Sequence, residues 1–480
     1  MRGKHTVEKI GGSSMSRFEE VMRNVLIGGR SGAGLYQRIF VVSAYGGVTN
    51  ALLSDKKTGE PGVYASFAQG DPAWEERLER VRALLKDYNR RFEHLGLARQ
   101  EADEFVDERV EGVRTCLQDL IRVRSFGHLY PENYLPATQE LLSAVGEAHS
   151  AFNTVAILRA QGIQALFVDL SRWKETEILP LDEVILRAFR GIDLQTTLPI
   201  VTGYVKCDVG IMSSFERGYS EITFSKIAAL TNAREGIIHK EYHLSTGDPV
   251  LVGLDRVEVI GNTNFDIADQ MSDMNMEAIH SRAAKEMQQR NIPIRVKNAF
   301  DPLHPGTVIE NGFVEPEPIV DMICGREDIV SVEVYDAEMV GQGGYDYRLM
   351  RPFAELGVSY IAKNTNANTI THYVPSKSPN LGACLERIRA EFPEARVQEA
   401  KVAIVSVLGS NLGDSGFLAI ATTALASAGI EVLGMNYSTR RVNMQFIVPR
   451  DQFNDAQLAL HRAFVEEWPP ANSLPAGRKE

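Results

Sequence analysis

Between Lys4 and about Gly306 the chain is a succession of short, β-branched, nearly uninterrupted apolar runs separated by stretches of helical periodicity. The runs are Arg38–Ala44, Ala165–Leu170, Pro199–Val205, Gly236–His239 and Ile294–Lys297. A strand with one buried face alternates apolar and polar residues, whereas a strand covered on both faces has no polar side to show. The pattern therefore predicts an α/β fold with a mostly parallel sheet covered by helices. Ligands of such sheets sit beyond the carboxyl ends of the strands.

A chain of 480 residues exceeds one ordinary core, and about two to four domains are expected. Residues from about 72 to 134 break the strand pattern: Glu75–Leu85 has helical spacing and dense charge, which predicts a solvated helical excursion packing by one face. The last third carries a repeat. A shift of 72 positions carries Gly341, Gly344, Ala354, Gly357 and Asn364 onto Gly413, Gly416, Ala426, Gly429 and Asn436, and the apolar Val340, Tyr345, Phe353 and Val358 onto Leu412, Phe417, Leu425 and Ile430. Each repeat reads as a βαββαβ module, ferredoxin-like, with one sheet face covered. The expected division is 1–315, 320–395, 396–468 and a tail over 469–480.

The net charge of −12 argues against nucleic acid or an anionic membrane as the main partner. Cys116, Cys207, Cys324 and Cys384 are scattered, with no zinc-ligand spacing, and read as reduced thiols of a cytoplasmic protein. No apolar core of about 7–15 residues follows Arg2 and Lys4, so no secretory leader is expected.

One stretch carries chemistry by itself. Lys9-Ile10-Gly11-Gly12-Ser13-Ser14 follows an apolar-alternating start and runs toward a helix. Backbone amides and a helix N-terminus would there face an anion, with Lys9 supplying full positive charge, as in a phosphate cradle. The run is not a Walker A loop, since no Gly-x-x-x-x-Gly-Lys-Ser/Thr occurs in the chain.

Taken with four further segments, this stretch resembles the aspartate kinases of the amino acid kinase superfamily over essentially the full length. Lys9–Ser14 is similar to the family's Lys-Phe-Gly-Gly-Thr-Ser, and Ser43–Asn50 to its second loop. Gly146-Glu147 is similar to its Gly-Glu pair on a helix, and Phe215–Glu221 to its Gly-Arg-Gly-Gly-Ser-Asp. Asn291–Phe300 followed by Pro305-Gly306-Thr307 resembles the link to the regulatory part, and the repeat resembles tandem ACT domains. The variants Tyr219-Ser220-Glu221 and His239-Lys240-Glu241 resemble the divergent subgroup associated with ectoine biosynthesis.

The resemblance implies ATP- and Mg²⁺-dependent phosphorylation of the L-aspartate side chain to 4-phospho-L-aspartate, opening aspartate-family amino acid or ectoine biosynthesis. Lys9, Arg217 and Glu221 would be catalytic. Lys9, Gly11, Gly12, Ser13, Ser43, Gly46, Gly47, His239 and Lys240 would hold the nucleotide, and Thr49, Glu147, Arg217 and Ser220 the aspartate. An effector would meet Gly341, Gly344, Asn411, Gly413 and Asn436, and the ACT modules would join a homodimer or larger homo-oligomer. The chemistry suits the chain: a carboxylate is already ionised at neutral pH and needs no general base, so charge neutralisation and positioning suffice.

The chain departs from the family at the nucleotide end. Lys240 stands where an acid is usual and Glu277 where a lysine is usual, which suggests a charge exchange across the pocket; Tyr219 replaces a glycine. Two alternatives stay open here: a kinase for another carboxylate such as glutamate or N-acetylglutamate, and a catalytically weak amino-acid sensor built around the ACT pair.

Overall fold

The computed structural model describes residues 3–55, 58–127, 129–215, 218–276, 278–413 and 415–467. They form two compact units: residues up to His243 with Ile279–Asn311, and Leu244–Ala278 with the residues from Gly312 onward.

In the first unit β1 (Thr6–Ile10), β2 (Arg38–Val42), β3 (Ala165–Val168), β4 (Leu198–Thr202) and β5 (Glu235–Lys240) lie in the order β3-β4-β2-β1-β5. Ile294–Asn298 follows β5, and every one of these pairings is parallel; Thr307–Glu310 adds an antiparallel strand. The five residues of each of β1, β2 and β4 are all buried; β2 after Arg38 and β4 accordingly read as apolar runs, whereas β1 also buries Thr6, Glu8 and Lys9. From β1 the chain goes to β2 on one side, and β5 lies on the other. A crevice opens between the carboxyl ends of neighbouring strands at such a reversal, here at Lys9 and Lys240.

The helical excursion is an antiparallel pair, Trp74–Phe92 and Arg99–Arg124, joined by a short 3₁₀ turn. It packs by one face, burying Trp74, Leu78, Val81, Leu85, Tyr88 and Phe92. That face does more than shield apolar surface, because Tyr88 stacks on Tyr45 with ring centroids 4.5 Å apart and donates to the Gly46 carbonyl at 2.9 Å.

In the second unit six strands form one antiparallel sheet in the order Ala362–Thr365, Thr369–Pro375, Ile319–Tyr335, Arg396–Ser410, Asn443–Pro449, Gly434–Tyr437. Two long central strands serve both modules. The second half of Ile319–Tyr335 and the first half of Arg396–Ser410 belong to one core, with Val332, Val334, Leu349, Phe353 and Ile388 buried and Val397 packed on them. Their other halves supply Val320, Ile323, Ala403, Val405 and Val407 to the core of the helices Ser415–Ser427 and Phe453–His461. The first module is therefore contiguous in sequence, whereas the second takes its closing strand from residues 319–326, ahead of the first. A linear boundary at 395/396 does not follow the cores.

Leu244–Ala278, read from sequence as part of the catalytic domain, groups with this second unit for a visible reason. The Thr246 carbonyl accepts from the Ile323 amide at 2.7 Å, its hydroxyl lies 3.0 Å from His461 Nε2, and Thr263 donates to Asp321 at 2.9 Å.

Candidate active site

Lys9, in the last turn of pleat before β1 ends, donates from Nζ to Glu221 Oε1 at 3.0 Å. Glu221 lies in the first turn of the helix Tyr219–Leu230, and its Oε2 accepts the His280 amide at 2.5 Å. Burial works to raise the Glu221 carboxyl, but the ammonium of Lys9, then that of Lys240, then the His280 amide outweigh it and hold the group below the usual carboxylate range. The carboxylate thus stays charged between two cations at the carboxyl end of the sheet.

Register decides which neighbours join them. Lys9 pairs with Ile238 and Ile10 with His239, so Lys240 shares the sheet face of Lys9, while His239 shares that of Glu8. His239 is 6% exposed and its Nε2 lies 2.8 Å from Glu8 Oε2, which also receives Arg38 Nη2 at 3.1 Å; Arg38 Nε holds Glu8 Oε1 at 2.8 Å. Burial lowers the His239 pKa, and Arg38 with His239 holds Glu8 well below its ordinary value against its own burial. The His239 side chain, expected to hold nucleotide, instead closes a buried cluster with Glu8 and Arg38 on the face of the sheet opposite Lys9.

The cradle is a short helical turn, Gly12–Met15, entered from Gly11 in extended conformation. The Gly11 amide is turned to the His239 carbonyl at 3.5 Å, and Ser14 donates to Glu241 at 2.8 Å, tying the turn to the end of β5. The Ser43 loop runs alongside: the Ser43 amide donates to Ile10 O at 3.1 Å, and the Gly46 amide to Ser16 Oγ at 3.0 Å. Gly47 caps the helix Val48–Leu52, which carries Thr49.

Glu147 comes from the middle of the helix Pro131–Ala160. A side chain on Gly146 would put its Cβ 2.8 Å from Ala44 Cβ and 2.9 Å from Val48 Cγ1, so glycine is what lets this helix approach the Ser43 loop. Glu147 is 2% exposed, and Ser220 donates to its Oε1 at 2.6 Å. Burial pushes its carboxyl up to about 8, more than the Ser220 bond, Lys9 and the Tyr204 amide pull it down. Gly203 makes room for this pair, since a Cβ there would fall 2.8 Å from Ser220 Oγ and 2.9 Å from Glu147 Oε1.

Lys9, Glu221, Lys240, Ser220 and Glu147 therefore converge with two backbone-rich loops at the switch point of a parallel sheet. The sequence profile of the amino acid kinase family matches residues 4–298, and that of the ACT domain matches residues 405–464. Aspartate kinase Ask_Ect of Stutzerimonas stutzeri is 45% identical over 464 residues, covering 96% of this chain and 98% of that protein. The chain belongs to the aspartate kinases of the amino acid kinase family. Aspartokinase 1, chloroplastic, of Arabidopsis thaliana is 23% identical over 97% of this chain and 81% of its own. The fold is shared with the crystal structure of E. coli aspartokinase III in complex with aspartate and ADP, at a TM-score of 0.72 and 19% identity, over 96% of this chain and 99% of that one.

Two residues singled out in this kinase from sequence, Arg217 and Glu277, lie outside the described residues. Gly341 and Gly344 lead into the helix Tyr345–Glu355, both in left-handed conformation, and Asn411 and Gly413 occupy the equivalent turn of the second module. Asn436 lies elsewhere: its Oδ1 accepts from Nδ2 of Asn364, its repeat counterpart, at 2.9 Å, so these two join the edge strands of the sheet. Residues that sequence reasoning passed over are Tyr88, Ser16, Glu241 and the His280 amide, which brace the loops and Glu221. Glu241 belongs to the variant motif His239-Lys240-Glu241, Ser16 closes the stretch that begins at Lys9 and His280 follows the Glu277 departure, whereas Tyr88 carried no local signal.

Proposed function

We propose that this kinase transfers the γ-phosphoryl group of ATP to the side-chain carboxylate of L-aspartate, giving 4-phospho-L-aspartate. The observation that carries the reading is the Lys9–Glu221 pair with the Lys240 charge beside it, at the carboxyl end of β1 and β5. Two ammonium groups and the amides of the Gly12 turn form a donor set suited to a polyphosphate. ATP supplies the transferable phosphoryl. Lys9 neutralises charge on it, Glu221 orients Lys9, and Lys240 takes a phosphate contact. The His239 side chain lies on the other side of the sheet, which supports leaving it out of this set. The acceptor carboxylate needs no base, so positioning and charge neutralisation are what the chain provides.

Glu147 and Ser220 would take the α-ammonium of aspartate, Thr49 the substrate near the Ser43 loop, and Arg217, on the family resemblance, its α-carboxylate by a bidentate fork. No cluster of three metal-ligating side chains occurs among the described residues, so Mg²⁺ would enter on the nucleotide phosphates. The turns at Gly341–Gly344 and Asn411–Gly413 would bind an amino-acid effector, and the second unit would join copies into a homo-oligomer. The Ask_Ect name of the Stutzerimonas relative supports a role alongside ectoine synthesis. Four unpaired cysteines support a cytoplasmic setting, and no described helix is long and apolar enough to cross a membrane.

The test is trapping of an acyl phosphate with hydroxylamine, with Mg-ATP and either L-aspartate, L-glutamate, N-acetylglutamate or no acceptor. Product with aspartate that is lost in Lys9→Ala supports the reading. Product with glutamate alone replaces the acceptor, and no product with any acceptor makes the chain a sensor.

A further inference from the structure

A cavity of about 510 Å³ opens in the first unit between the helix Pro131–Ala160, the turn around Arg172 and the segment following Tyr204. None of Lys9, Ser43, Thr49, Glu147, Ser220 and Glu221 lines it. Its mouth is apolar and open: Ile178 is 71% exposed and Val209 57% exposed. Trp173 and Tyr204 supply aromatic walls. Trp173 is held from behind by the helical excursion, the Arg109 guanidinium lying 4.6 Å from its ring centroid while Arg109 donates to Ser171 at 3.0 Å and Asp169 at 2.5 Å.

The turn that carries these residues is built at a conformational cost. Arg172 and Lys174 are both left-handed, at φ +48° and +69°, without being glycine. Arg172, which lines the cavity, is only 8% exposed; its Nε donates to Glu175 at 2.7 Å, but Nη1 is buried with no hydrogen-bond partner. A buried guanidinium N–H without an acceptor is costly, and a carboxylate is the group its planar fork matches best. Lys174 and Lys206 add positive charge to the lining against Glu140 and Asp208, and pockets of this size with apolar walls and a few placed polar groups are typical of small-molecule sites.

We propose that this cavity is a binding site for a small organic anion with an apolar body, its carboxylate on Arg172 and its body between Trp173 and Tyr204. Occupancy reaches the substrate site through Tyr204, whose ring packs edge-on against Tyr219 with centroids 6.0 Å apart, next to Ser220, which donates to Glu147. Moving that ring moves the donor that holds Glu147. This second step rests on Glu147 binding the aspartate ammonium; the binding step does not.

The experiment titrates the full-length protein, without nucleotide or aspartate, with phenylacetate and with neutral phenylacetamide, by calorimetry and tryptophan fluorescence. Saturable phenylacetate binding is expected, at least about tenfold tighter than phenylacetamide. Arg172→Gln is expected to remove that preference. Ile178→Glu, a change at an exposed position, is expected to weaken phenylacetate binding without disturbing the fold, and Trp173→Phe to abolish the fluorescence response. No saturation below about 10 mM, equal affinity for the two probes, or unchanged binding in both Arg172→Gln and Ile178→Glu overturns the site. In turnover assays bound phenylacetate is expected to shift the KM for aspartate at least about twofold with little change in kcat; an unshifted KM at saturation overturns the link through Tyr204.

Discussion

Lys9 Nζ lies 3.0 Å from Glu221 Oε1, joining the end of the first strand to the first turn of a helix 212 residues further along the chain. The pair is nearly enclosed, with side-chain exposures of 11% and 13%, so each charge depends on the other for its solvation. A lysine facing a transferring phosphoryl group must be held in place without being neutralised, and a carboxylate already bonded to the His280 amide does this.

Lys9→Ala is therefore expected to lower kcat by about 10²–10³-fold, the range for losing one preorganised charge at a transition state. Glu221→Gln should lower kcat less and leave the KM for aspartate within about twofold, since it disturbs only the orientation of Lys9. Steady-state kinetics with hydroxylamine trapping separates the two; a large rise in the KM for aspartate in Glu221→Gln would move Glu221 into the acceptor site.

Glu147 should make aspartate binding depend on pH. With its carboxyl pushed up to about 8, the ligand-free protein carries it protonated at neutral pH, whereas binding the substrate ammonium, the role proposed for it, requires it ionised. The KM for aspartate should fall as pH rises from 6.5 toward about 8 and level off above. Stability moves the other way. The folded state binds this proton more tightly than the unfolded chain, so stability present below the ordinary carboxylate pKa is lost as pH rises through the folded value. Glu147→Gln should consequently raise Tm at about pH 8 more than at pH 5, measured by scanning calorimetry, while raising the KM for aspartate. A Tm difference independent of pH would mean that Glu147 is ionised in the folded chain.

Ile323 tests the shared strand. It is 1% exposed within the core of the helices Ser415–Ser427 and Phe453–His461, although it precedes the first module in sequence. Ile323→Ala should cost about 2–4 kcal/mol locally and speed hydrogen exchange in Phe453–His461, leaving the helix Leu381–Glu391 protected. Equal loss of protection in both helices would make the two modules one cooperative unit.

Arg38 tests the cluster beneath the sheet. It is 5% exposed, holds both oxygens of Glu8, and donates to the Val25 and Leu26 carbonyls at 2.7 and 2.9 Å. Arg38→Ala leaves Glu8 buried without its main partner and should destabilise the protein by about 3–5 kcal/mol, read from denaturant unfolding. The double change Arg38→Met with Glu8→Gln should recover part of the loss. If the double variant is no more stable than Arg38→Ala, the cost arises from the lost carbonyl contacts.

Composition and local pattern alone determined the parallel sheet, the glycine-rich turn at Gly12 and the existence of a repeat. A strand buried on both faces is apolar except where a buried charge finds a partner, a turn that presents amides to an anion must have little side chain, and a duplicated module keeps its glycines in register. Those constraints act within a few residues and are written in the residues themselves. What only the tertiary structure decided are matters of parity and partnership. Whether His239 or Lys240 faces Lys9 depends on the register of β1 against β5, and one step moves a side chain to the other face of the sheet. The use of residues 319–326 to close the second module, and of Tyr88 to brace the Gly46 loop, depends on which distant segment meets which. No local pattern records that choice, because an apolar strand is equally apolar whichever core it completes.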